Sequence, residues 1–176
     1  MTDFTKVECA IRQLHARYAD AVWRKDTAAF VDCFTEDAVW RIAGVELAGR
    51  AAIGEGFDRF MAILHRTLMT FRTPIVTLGE LPGTASARTY VTEQNKYHDG
   101  TAVSTIGIYY ERFVDEGDRW RFAWRHWQMY YYGPADLSEK IYDAPEFGRP
   151  PGMPGPADGS TERAKIWGVS PAPVTD

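Results

Sequence analysis

Residues 84–114 read TASARTYVTEQNKYHDGTAVSTIGIYYERFV, two runs of alternating character around His98-Asp99-Gly100. Asp-Gly between two such runs is a strong hairpin signal, because both turn residues tolerate positive φ. The runs predict strands over 84–97 and 102–114. Working outward, Glu116-Gly117-Asp118 marks a turn into a third strand at 119–132, and Pro82-Gly83 follows one at 68–79. Upstream of His65 the period changes. Val7, Ile11, Leu14, Tyr18 and Val22 fall three or four apart, one face of an amphipathic helix from Phe4 to Lys25. Asp26 caps a short second helix carrying Phe30, Cys33 and Phe34, residues 37–42 read as a strand, and Gly49 opens a third helix. Helices first and a strand meander afterwards predict an α+β fold.

Bulk properties narrow the function classes. The 176 residues suit one domain, and 14% are aromatic, including six Trp and nine Tyr. A net charge of −4 argues against a nucleic-acid surface, which needs a clustered positive field. No apolar run is long enough to span a membrane, and Met1-Thr2-Asp3-Phe4-Thr5-Lys6 lacks a signal-peptide pattern, so a cytoplasmic protein is expected. Cys9 and Cys33 read as buried free thiols. His15, His65, His98 and His126 lack metal-ligand spacing. From Gly133 the Pro- and Gly-rich sequence predicts an extended tail over 133–176 beside a domain over 1–132. Tyr142, Phe147 and Trp167 would anchor it on the pocket mouth or on a neighbouring subunit.

The run Ile11-x-x-Leu14-x-x-x-Tyr18-Ala19, then Lys25-Asp26, Phe30, Phe34-x-Glu-Asp37-Ala-Val-Trp40 and Gly49-Arg-Ala-Ala-Ile53, resembles the SnoaL-like branch of the NTF2-like superfamily. That branch is similar to scytalone dehydratase, bile-acid 7α-dehydratase, hexachlorocyclohexane dehydrochlorinase and ketosteroid isomerase. The resemblance implies a cone of three N-terminal helices on a curved, mainly antiparallel sheet, and chemistry without a cofactor. Its dehydratases carry an Asp late in the first helix and a His at the start of the second strand. Here those positions hold Trp23 and Met69.

With Asp99 and Gly100 as a two-residue turn, Asn95 faces Ser104, Glu93 faces Ile106 and Thr89 faces Tyr110 on the concave sheet face. Ala123, Arg125, Trp127 and Met129 then point inward from the last strand, while Trp124, His126 and Tyr130 turn outward as an apolar patch for a homodimer or homotrimer. Glu93 on an apolar face has two readings: an ion pair with Arg125 that holds the sheet, or an acid or base with Arg125 as anion clamp. A register slip would expose it instead. Tyr18 is either a packed core phenol or a donor to a departing hydroxyl. Trp23, Trp40, Tyr110 and Trp127 around one cavity suit a flat aromatic ligand. His15 reads as a satisfied core residue.

These residues give catalytic candidates Tyr18, Glu93 and Arg125. Trp23, Trp40, Met69, Asn95, Ser104, Ile106, Tyr110, Trp127 and Met129 are candidates for binding a small aromatic substrate, with no metal and no cofactor. The expected function is a lyase on a hydroxylated aromatic molecule, by loss of water or of a small carbonyl such as formaldehyde, with lignin-derived diaryl compounds as one substrate class. An isomerase, hydrolase or cyclase, and a binding or assembly module without catalysis, remain open.

Overall fold

A computed structural model describes residues 3–141. Helix α1, Phe4–Arg24, starts at Asp3, whose carboxylate accepts from Thr5 N–H at 3.0 Å. It stops at Lys25, which takes the left-handed conformation, φ 55°. Its apolar stripe is buried as the spacing predicts, and His15 lies within it. Asp26 caps α2, Thr27–Val31, by accepting from Ala29 N–H. Strands β1, Phe34–Ile42, and β2, Val45–Ala48, are joined by Ala43 and Gly44, both at positive φ. Helix α3 runs from Gly49 to Ile63, followed by β3, Leu64–Phe71, β4, Ile75–Leu78, β5, Thr84–Tyr97, β6, Ala102–Asp115, and β7, Trp120–Gly133.

The seven strands form one sheet in the order β2-β1-β7-β6-β5-β3, with β4 also paired to β5. Every pairing is antiparallel except β1 with β7. The helices pack on one face, which gives the expected α+β cone. The strand expected at 68–79 is two strands. Pro74 has no donor for the ladder, so the chain breaks there and resumes on β5 one segment further along. The strand β2 escapes sequence reading because Ala at positive φ is not a usual turn residue. Cys33 is buried and Cys9 is exposed, both as free thiols. Within the expected tail, Ile141 bridges to Tyr131, and residues beyond 141 lie outside the described residues.

The β5–β6 register is the main correction. Tyr97 N–H donates to Thr101 O and Gly100 N–H to Tyr97 O, so the loop holds three residues, His98, Asp99 and Gly100. Among these only Gly100 has positive φ, at 93°. This is a turn followed by a left-handed glycine and not the two-residue turn. Glu93 therefore faces Thr105, and Asn95 faces Val103. One residue of slip moves all of β6 to the other face. Ser104, Ile106 and Tyr110 lie on the convex face, while Thr105, Gly107, Tyr109 and Glu111 lie on the concave one.

Gly107 faces Met129 on β7, beside the Trp127 ring. A Cβ there would meet that ring at 2.5 Å and clash with the Gln128 carbonyl oxygen. Gly107→Ala should destabilise the fold by about 1–3 kcal/mol through overpacking. Chemical denaturation would read this as a lower midpoint with an unchanged slope.

Candidate functional site

Seven elements converge on one cavity of about 50 Å³ between the helices and the concave sheet face. The α1 stripe brings Tyr18 to it, and β1 brings Trp40. Strand β3 supplies Thr67 and Met69, β5 supplies Glu93 and Asn95, and β6 supplies Tyr109. Glu93 and Asn95 sit two residues apart, so the strand pleat puts both on the same face. Apolar walls come from Phe30, Phe57, Phe60 and Met61.

Glu93 is 8% exposed, and the Thr105 hydroxyl donates to its carboxyl at 2.8 Å. No cation forms an ion pair with it among the described residues. Burial dominates and raises its pKa, with Thr105, Asn95 and the Arg125 charge pulling the other way. A raised pKa favours the protonated carboxyl, the form that can donate a proton. Tyr18 and Tyr109 place their hydroxyls 3.5 Å apart. Burial pushes the Tyr18 phenol up to about 12 against the pull of Arg125, so the phenol keeps its proton. The Thr67 hydroxyl donates to Asn95 Oδ1 at 2.9 Å, and the Asn95 amide nitrogen, which makes no close hydrogen bond, favours the ionised form of Glu93. Trp40 Nε1 is buried and unpartnered. The orphan donor of Trp40, facing the same cavity as Asn95 and Glu93, suits a ligand that brings an oxygen acceptor, since an unmet buried donor is costly.

Behind the cavity lies a second buried cluster. Arg125 Nε donates to Glu111 Oε1 at 2.8 Å, and Thr89 Oγ1 donates to Glu111 Oε2 at 2.7 Å. His15 Nε2 lies 3.0 and 2.9 Å from the two Glu111 oxygens, so that nitrogen carries a hydrogen. Burial opposes ionisation of Glu111, but His15 and Arg125 outweigh it and its pKa is lowered. The Arg125 guanidinium stacks 3.6 Å from the Tyr109 ring centroid and 4.1 Å from those of Tyr18 and Phe122. Such contacts favour a desolvated cation.

The sequence profile of the SnoaL-like domain matches residues 5–126. The chain belongs to the SnoaL-like family. This places it in the SnoaL branch of the NTF2-like superfamily, as the sequence resemblance implies. None of the curated proteins matches it significantly. Three solved structures show the same fold. A candidate aromatic ring hydroxylase from Novosphingobium aromaticivorans is 28% identical, with TM-score 0.70, over 78% of this chain and all of the other. A candidate scytalone dehydratase from the same organism is 18% identical, with TM-score 0.69, over 88% and 99% of the two chains. A type 2 hexachlorocyclohexane dehydrochlorinase is 14% identical, with TM-score 0.68, over 85% and 97%.

Of the SnoaL-like chain's candidate residues, Tyr18, Trp40, Met69, Glu93 and Asn95 share the cavity. Arg125 points inward but is held behind Tyr18 and Tyr109 by Glu111 and not by Glu93, which removes the expected Glu93–Arg125 pair. Trp127 and Met129 also point inward and pack with Val91 and Tyr109 in a small apolar cluster beside the cavity. Ser104, Ile106 and Tyr110 lie across the sheet for the register reason given above. Trp23 is 46% exposed and has Arg66 over its ring at 5.5 Å, because it follows Val22 off the buried stripe. Trp124 and His126 stack on the convex face as expected. Sequence reasoning missed Thr105, Tyr109 and Glu111, all misplaced by the same slip. The glycine at the third loop position was the available signal. Among the described residues no group of three or more His, Cys, Asp and Glu could hold a metal ion, and no helix is long and apolar enough to cross a membrane.

Proposed function

We propose that this SnoaL-like chain is a cofactor-independent lyase acting on a hydroxylated aromatic small molecule in the Glu93 cavity. The observation that carries the proposal is Glu93, buried without an ion pair and with a raised pKa, beside the unpartnered Trp40 Nε1 and the Asn95 amide. In the first step the Glu93 carboxyl gives its proton to a benzylic hydroxyl, the C–O bond breaks and water leaves. A 4-hydroxyl on the ring stabilises the resulting cation as a protonated quinone methide. The Glu93 carboxylate then takes a proton back. If the proton comes from the adjacent C–H, the net reaction is dehydration to an alkene. If it comes from the O–H of a neighbouring hydroxymethyl group, the C–C bond breaks and formaldehyde leaves with the same alkene product. Either route returns Glu93 to its starting state. Tyr18, Trp40 and Asn95 would orient the oxygens, which is where much of the rate gain lies in such sites.

The resemblance to dehydratase and dehydrochlorinase structures supports bond cleavage of this class, although Met69 stands at the position matched to the family's His and Trp23, matched to its Asp, is turned out of the cavity. That substitution, with a cavity far smaller than the roughly 300 Å³ of an ordinary ligand pocket, favours a second reading as a binding module. Incubation with a panel of 4-hydroxyaryl alcohols, followed by mass spectrometry, separates the two. Loss of water or formaldehyde from any member supports the lyase. Binding of panel members with no product overturns it in favour of the binder.

A further inference from the structure

The cavity has a neighbour that the proposed chemistry does not use. A groove of about 350 Å³ runs between α1 and the β3–β4 corner. Its walls are apolar at Ala16, Ala19, Phe71 and Pro74, and it is lined by two arginines, Arg12 and Arg72, and by no acidic side chain. Neither arginine makes an ion pair or side-chain hydrogen bond among the described residues. Exposed arginines alone would not mark a site. The second observation is His15, which also lines this groove while 3% exposed. Its Nε2 is engaged by Glu111, and its Nδ1 is buried without a partner. With the hydrogen on Nε2, Nδ1 is an acceptor, so it suits a hydroxyl on the ring of a ligand and leaves the carboxylate to the arginines.

We infer that this groove binds the carboxylate end of an aryl acid, with Arg12 and Arg72 on the anion and the ring against Ala16, Ala19 and Phe71. Guanidinium recognises carboxylate through parallel N–H donors, and the volume suits one substituted ring. Met69 lines both the groove and the inner cavity, so it is the wall between them. An unbranched thioether moves aside more easily than a branched or aromatic wall. A two-ring acid would leave its carboxylate at the arginines and pass its second ring beyond Met69 to Glu93. This last step rests on the lyase reading; the anion site does not.

The test is equilibrium binding of benzoate and of its neutral isostere benzamide to the full chain, by calorimetry. Wild type should prefer benzoate by roughly tenfold, the worth of one charge-assisted contact. The double variant R12Q/R72Q should lose that preference while binding benzamide as before. E93Q should bind benzoate like wild type, since Glu93 lies beyond Met69. Equal affinity for the two ligands in wild type, or a preference that survives in R12Q/R72Q, overturns the proposal. So does displacement of benzoate by inorganic phosphate at matched concentration, which would mark a general anion patch. None of these outcomes depends on turnover, so the lyase reading stands or falls separately.

Discussion

Replacing Glu93 by Gln should lower turnover of a hydroxylated aryl substrate by roughly two to four orders of magnitude, the usual worth of a general acid. The amide keeps the carbonyl oxygen that Thr105 donates to, so the geometry survives while the transferable proton is lost. Stability should move the other way. An unfolded Glu ionises near about 4.3, and burial raises the folded value. The folded chain thus holds a proton that the unfolded chain releases, and stability is lost as pH rises through the raised pKa. Gln escapes that loss, so the Tm of E93Q above neutral pH should equal or exceed wild type. A variant that loses activity and also melts earlier would point to a structural role. Glu93 works in its protonated form, so wild-type activity should also fall on the basic side through the same raised pKa.

Glu111→Ala should have the largest effect on stability. Glu111 is fully buried and satisfies Arg125, His15 and Thr89 at once. Removing it leaves a desolvated guanidinium with no counter-charge, which costs about 3–5 kcal/mol. For a chain of this size that corresponds to a Tm fall of roughly 6–20 °C. The triple variant H15L/E111L/R125M removes all three polar groups and should be much less destabilised than E111A, because a buried ion cluster contributes little against apolar packing of similar volume. Calorimetric scans of the two variants decide this. A triple variant as unstable as E111A would mean the cluster itself holds the fold.

The helices and most strands, β2 and the break between β3 and β4 apart, were legible because their signals are local. The α1 stripe, the Asp26 cap and the three C-terminal turns each follow from a few adjacent residues. The interior of the site depended instead on one loop. Strand β6 has bulky residues at both parities, with Ile106, Ile108 and Tyr110 on one and Tyr109 and Phe113 on the other, so alternation could not choose a face. The hairpin chose it, and a loop one residue longer than expected exchanged Tyr110 for Tyr109 and brought Glu111 inside. Strand β5 kept Glu93 and Asn95 inward because its own alternation is unambiguous, Thr89, Val91, Glu93 and Asn95 all being buried. Arg125 was read correctly as inward, but its partner could not be found from sequence while Glu111 was assigned to the other face. Trp23 was misplaced because a family position was carried over to a residue that the helix turns outward.

The protonation state of Glu93 can be measured without knowing the substrate. Side-chain carboxyl carbons of glutamate, observed by NMR over a pH titration in wild type and in E93Q, identify Glu93 as the signal that the variant lacks. That signal should stay in its protonated form through the ordinary range near about 4.3 and ionise only above it. A Glu93 carboxyl that ionises at or below the ordinary value would be an anion at neutral pH, and the proposed proton donor would not exist.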